Sequence, residues 1–263
     1  NTRQALAGAF KYDATAPNCD EPTLVGPRED GKHYTGPVRV TITGNDLLSG
    51  IAALHYQIDD EPVVNVPVSG GPKTAQHSFS IVYTDTRTLL YYWATDTAGN
   101  TPSSRNSYAI YFDTQAPAAP INLTVLPSGW VSATAFTITW TNPWDYSQVA
   151  GAYYKVGSEP QWPSDGTYAA VSGTPSVSAQ TTKEGATQVY LWLKDKAGNT
   201  DHRNAARVTV QRDATPPETT IAASGPTRNG FYIGPVSLTF ASNDSASGVT
   251  QIRYRIGDGA EKV

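Results

Sequence analysis

The pentapeptide Asp96-Thr97-Ala98-Gly99-Asn100 returns 99 positions later as Asp195-Lys196-Ala197-Gly198-Asn199. An internal period of that length is one small domain, so the chain reads as a tandem array and not as one large fold. The same interval before Asn100-Thr101 falls on Asn1-Thr2, which predicts that the sequence opens inside this loop of a preceding copy. Each copy closes alike. Ala7 to Tyr12 run into Asp13-Ala14-Thr15-Ala16-Pro17, Tyr108 to Phe112 into Asp113-Thr114-Gln115-Ala116-Pro117, and Val208 to Arg212 into Asp213-Ala214-Thr215-Pro216-Pro217. Alternating apolar residues followed by an aspartate and a proline read as a last strand feeding a stiff linker, because proline cannot donate to a ladder and holds its neighbour extended.

A further match, Tyr34-Thr35-Gly36-Pro37-Val38 with Tyr232-Ile233-Gly234-Pro235-Val236, continues without gaps to Tyr56 and Tyr254. The expected organisation is therefore the last strand of a preceding domain over 1–13, whole domains over 14–113 and 114–213, and the front half of another over 214–263. Half a domain cannot bury its core, so this reading expects the last copy to be completed by more of the polypeptide or by another molecule.

Within the first whole copy, strands are expected at Thr23 to Val25, Val38 to Thr43, Ala53 to Ile58, Val63 to Val66, Ser78 to Tyr83, Leu89 to Thr95 and Tyr108 to Phe112. The second copy offers Ile121 to Leu126, Phe136 to Thr141, Ala152 to Val156, Tyr168 to Val171, Ser176 to Ala179, Gln188 to Leu193 and Ala205 to Val210. About seven short strands separated by Gly, Pro, Asn and Asp describe an all-β, immunoglobulin-like or fibronectin type III-like sandwich. Tyr91 and Trp93, and in the same register Tyr190 and Trp192, alternate onto one face of the penultimate strand, which is expected to be the core face.

Several function classes find no support. The net charge is −4 with Lys and Arg scattered singly, so no basic stripe offers nucleic acid a surface. No apolar stretch is long enough to insert in a membrane. The single cysteine, Cys19, excludes an intrachain disulfide and a thiolate zinc site, leaving a free thiol or an intermolecular disulfide. His33, His55, His77 and His202 lack metal-ligand spacing, and no nucleophile elbow, Walker loop or dinucleotide turn is present. The reading is not an enzyme.

Trp93-Ala94-Thr95-Asp96-Thr97-Ala98-Gly99-Asn100, Gly36-Pro37-Val38, Asn243-Asp244 with Ser247-Gly248-Val249, and Ala150-Gly151-Ala152-Tyr153-Tyr154-Lys155 resemble the bacterial Ig-like and fibronectin type III-like repeats of large surface and secreted proteins. The resemblance covers nearly the whole chain. It implies an extracellular or cell-surface location and a structural or adhesive segment of a rod, stalk or fibre, whose partners are neighbouring domains of the same chain and, on self-assembly, other copies. The alternative is an accessory or carbohydrate-binding module of a large secreted hydrolase. The middle copy departs from the pattern, with Ala135-Phe136-Thr137 where its neighbours have Gly-Pro-Val.

Two sets of side chains are candidate sites. Trp144, Tyr146 and Trp162 fall in predicted loops of the middle copy, where aromatics offer a glycan or a protein a platform, or simply pack on linkers. The second set is acidic. In an Ig-like sandwich the incoming linker meets the loop between the second and third strands and the loop between the last two. Asp13, Asp46 and Asp96 should converge there, with Asn45 and Asn100 as oxygen donors; Asp113, Asp145 and Asp195 should do so with Asn142 and Asn199, and Asp213 and Asp244 with Asn243. Hard oxygens from separate loops suit calcium, the one cofactor considered, while the same residue types also cap turns through their own backbone.

Overall fold

The structure, a computed structural model, describes residues 11–263. Of the strand expected at Ala7 to Tyr12, only Lys11 and Tyr12 are described, and neither is in a strand; the rest of that expectation lies outside the described residues. The chain is all-β. In the first copy the strands are β1 (Asn18–Cys19), β2 (Thr23–Val25), β3 (His33–Tyr34), β4 (Val38–Asn45), β5 (Ile51–Ile58), β6 (Val64–Pro67), β7 (Thr74–Ile81), β8 (Thr86–Asp96) and β9 (Asn106–Phe112). One sheet is built on β4, which takes β1 and β2 in succession along one edge and β7 along the other, all antiparallel. The facing sheet runs β3-β9-β8-β5-β6, and β3 lies parallel to β9.

The period of two along each strand decides what is buried. Val38, Val40 and Ile42 of β4 meet Leu54, Leu90, Tyr92, Ala94, Ile110 and Phe112 of the facing sheet in one core. Full burial of a large apolar side chain is worth about 1.5–3 kcal/mol, so this set dominates the stability of the sandwich.

The second copy repeats the scheme with β10 (Ile121–Leu126), β11 (Trp130–Val131), β12 (Ala135–Thr141), β13 (Val149–Val156), β14 (Thr167–Ala170), β15 (Ser176–Gln180), β16 (Gly185–Asp195) and β17 (Ala206–Arg212). A 3-10 turn at His202–Asn204 precedes β17. Its sheets run β10-β12-β15 and β11-β17-β16-β13-β14, again with a short parallel strand, β11, against the last one. The closing segment contributes β18 (Glu218–Ser224), β19 (Thr227–Arg228), β20 (Phe231–Tyr232) and β21 (Ser237–Asn243), as the pairs β18-β21 and β19-β20. Val236 and Leu238 correspond by the repeat to Val38 and Val40, yet they are 41% and 38% exposed where their counterparts are fully buried.

The chain divides into two units. One holds the described residues through Pro117 together with Trp144–Ala150 and Lys194–Thr200; the other holds Ala118–Pro143, Gly151–Leu193 and Asp201–Val263. Two loops of the second copy thus cluster with the first. No helix among the described residues is long and apolar enough to cross a membrane.

One expectation is reversed. On β8 the inward residues are Thr88, Leu90, Tyr92, Ala94 and Asp96, so Tyr91 and Trp93 lie on the outer face. There Trp93 stacks on His55 at 5.2 Å, and Arg105 lies over the rings of Tyr91 and Trp93. On β16 the inward set is Thr187, Val189, Leu191, Leu193 and Asp195. Tyr190 is accordingly outward. Trp192 is outward as well but fully buried, because Tyr153 stacks on it and the Pro163 carbonyl accepts its Nε1–H at 2.7 Å. Both faces of these strands are apolar, and alternation alone does not say which one looks inward.

Candidate functional site

β4 and β8 end side by side, and each hands the chain to a loop that begins on an aspartate. Asp46 Oδ1 accepts from the amides of Leu48 (3.0 Å) and Gly50 (2.6 Å), closing the turn between β4 and β5. Asp96, at the end of β8, accepts from the Asn100 amide at 2.7 Å. That tight return requires Gly99 at φ +93°, a conformation in which a side chain would be strained. Asp13 enters from the linker, and its Oδ2 accepts from the Ser49 amide at 3.0 Å. The carboxylates of Asp13, Asp46 and Asp96 can each place an oxygen within 4.8 Å of the others.

The arrangement recurs at Asp113, Asp145 and Asp195, which meet the same distance limit. Asp113 Oδ2 accepts from the Ser147 amide at 2.9 Å, and Asp195 Oδ1 from the amides of Gly198 and Asn199, each at 2.7 Å. Asp145 is held within its own loop by the Ser147 hydroxyl at 3.4 Å. Asp113 is bonded in two further directions: its amide donates to the Tyr34 carbonyl at 3.0 Å, extending the β3 ladder, and its carbonyl accepts from Asn199 Nδ2 at 2.9 Å. Asp113, Asp145, Ser147, Gly198 and Asn199 come from loops and linker, Tyr34 from β3 and Asp195 from the end of β16, and all lie within the first unit.

The electrostatics of this second cluster are unfavourable for three free anions. Burial, then the charges of Asp113 and Asp195, push the Asp145 carboxyl up to about 6. Burial raises Asp195 to about 6 as well, with Asp113 adding to the rise and the Asn199 bonds opposing it. Close carboxylates shielded from water take up a proton or a cation. Asp113, Asp145 and Asp195, and equally Asp13, Asp46 and Asp96, are the residues that could hold a hard divalent ion.

At the third position Asp213 Oδ2 accepts from the Ser247 amide (3.0 Å) and Asp244 Oδ1 from the amides of Ala246 (3.0 Å) and Gly248 (2.8 Å). These are the two acids expected there. Asn100 Nδ2 donates to the Asp13 carbonyl (3.2 Å) and to Asp96 Oδ2 (2.7 Å), and Asn199 Nδ2 donates to Asp195 Oδ2 (2.8 Å), so both present nitrogen, not oxygen, to the acids. The amide has a donor end as well as an acceptor end, and clustered carboxylates select the donor. Asn45 and Asn142 are engaged elsewhere, accepting from Thr74 Oγ1 and Trp140 Nε1.

Of the three candidate aromatics, Trp144 and Tyr146 meet edge-on at 6.4 Å. Trp144 is exposed, Tyr146 sets its ring edge-on to His33 at 5.8 Å, and Trp162 belongs to the other unit. His33 is itself buried and bonded to Asp30, and beside it Lys194 pairs with Glu29 at 2.7 Å. Sequence reasoning missed this cluster, whose members share no spacing. Cys19 is a free thiol packed against the first core, and burial pushes it up to about 11.

No protein-family model matches the chain, and no curated protein does. Solved structures do. The fibronectin(III)-like modules of Clostridium thermocellum CbhA align at 12% identity over 73% of this chain and 95% of that one, with a TM-score of 0.34. The FN1-FN3 domains of chicken CNTN1 align at 15% identity over 73% of this chain, which spans 66% of that one, with a TM-score of 0.33.

Proposed function

We propose that this chain is a non-catalytic structural segment of an extracellular array, in which each linker aspartate fixes one sandwich to the loops of the next. The observation that carries the reading is Asp113, whose amide is bonded to Tyr34 and whose carboxylate and carbonyl are bonded to Ser147 and Asn199. A linker tied at every polar atom of one residue resists bending, which is what a stalk or spacer needs and a flexible tether does not. Small-angle X-ray scattering of the whole chain and of Asp113→Ala tests it. A single well-defined particle that broadens into a distribution of lengths on mutation is expected; identical profiles overturn the reading.

A second element of the proposal is a divalent cation of the calcium class at the two three-carboxylate clusters, favoured at both by the approach of the carboxylate oxygens to within 4.8 Å and, at the second alone, by the upward displacement of Asp145 and Asp195. Calcium at about 100 times its Kd should stabilise the protein by about 2.7 kcal/mol for each site filled. Thermal unfolding with calcium and with chelator measures this. An unchanged midpoint, with equal losses in Asp195→Ala under both conditions, leaves these residues as turn caps.

A further inference from the structure

A cleft of about 590 Å³ opens on the outer face of the second copy, where β16 and β17 pass beneath the loop over residues 157–166. Its volume lies within the roughly 300–1,000 Å³ typical of small-ligand sites. Tyr190 and Arg207 stand directly opposite each other in the ladder, and Glu159, Gln161, His202 and Arg203 complete the rim.

The availability of these groups sets the cleft apart from the rest of the face. Trp192, two residues along, is covered by Tyr153 and by the loop, whereas no ring packs on Tyr190 among the described residues. Arg203 is held by Asp201 at 3.0 Å, but Arg207 is exposed and meets no acid among them. The Glu159 carboxylate is likewise without a cation, since Lys155 pairs with Asp165 at 2.7 Å. An aromatic wall, an unpaired guanidinium and an unpaired carboxylate therefore line one opening.

We propose that this cleft is a binding subsite for an acidic sugar, a hexuronate unit of a polysaccharide. The C–H face of a pyranose packs on a tyrosine ring, and the guanidinium takes a carboxylate as a charge-assisted pair. Sugar hydroxyls both donate and accept, which suits a rim where the Glu159 carboxylate and the Gln161 amide stand together. An acidic peptide would use the arginines but offers Glu159 only its backbone N–H groups and brings no pyranose face to Tyr190.

The test is calorimetric titration of the whole chain with trigalacturonate, with galactotriose and with tetraglutamate. Saturable binding of trigalacturonate is expected, stronger than that of the other two. Arg207→Ala should weaken it by about tenfold, the cost of one charge-assisted pair. Tyr190→Phe should retain binding that Tyr190→Ala loses; because Tyr190 is partly buried, thermal unfolding accompanies that variant, and the exposed Arg207 keeps the test valid if it fails to fold. No saturable binding of trigalacturonate, equal binding of galactotriose, tighter binding of tetraglutamate, or indifference to Arg207→Ala overturns the assignment.

Discussion

Asp145 and Asp195 carry a consequence for pH. Both carboxyls sit at about 6 in the folded chain against an ordinary 3.8, so the folded state keeps protons that the unfolded state has released. In the chelated protein their contribution is fully present below about pH 4 and is lost as pH rises through about 6. Calorimetric unfolding in chelator across that window should therefore show a falling contribution that Asp195→Asn removes; a difference between the two proteins that does not change with pH would contradict it. Bound calcium reverses the sign, because the ion then favours the charged forms. The aspartates were legible in the sequence because they recur at domain intervals beside glycine and serine. What Asn100 and Asn199 do was not, since only the surrounding charges decide which end of an amide turns inward.

Strands β8 and β16 show how far alternation carries. It located both elements to within a few residues, but it assigned Tyr91 and Trp93 to the core when the inward register is set by Thr88, Leu90, Tyr92 and Ala94. Both faces have polar ends, and the outer one carries Trp93 where the inner carries only Ala94, so the inner face looks less apolar on paper. Tyr92→Ala is expected to cost about 3–5 kcal/mol, as aromatic truncation in a core does, and Trp93→Ala clearly less. Trp192→Ala should cost about as much as Tyr92→Ala, because the loop over 157–166 has turned an outward position into a second buried one. Urea unfolding of the three variants ranks them; a larger loss at Trp93 than at Tyr92 would reverse the assignment. The two-residue strands β1, β3 and β11 escaped notice because so short a segment has no period to read.

On the scale of the whole molecule, stability is distributed unevenly along the chain. The first copy closes its core between two sheets, while the residues of the closing segment are nearly all exposed, Phe231 at 75% and Ile256 at 64% among them. Protection from hydrogen exchange follows burial and local cooperativity. Amides of β18 to β21 should exchange far faster than those of β4 and β8, as mass spectrometry of the exchanging chain would read directly; equal protection would show that this segment is covered in solution. The repeat made the likeness of this segment's sequence to the first copy plain, but not that its apolar residues, Val236 and Leu238 among them, are exposed where Val38 and Val40 are buried. A different consequence follows from β3 lying parallel to β9, with Asp113 adding one more bond to that ladder. Once tension on the incoming linker had stripped β1 and β2 from β4, it would pull β3 and β9 in opposite senses along their common axis. The bonds between them would then be loaded in shear and have to fail together instead of opening one after another.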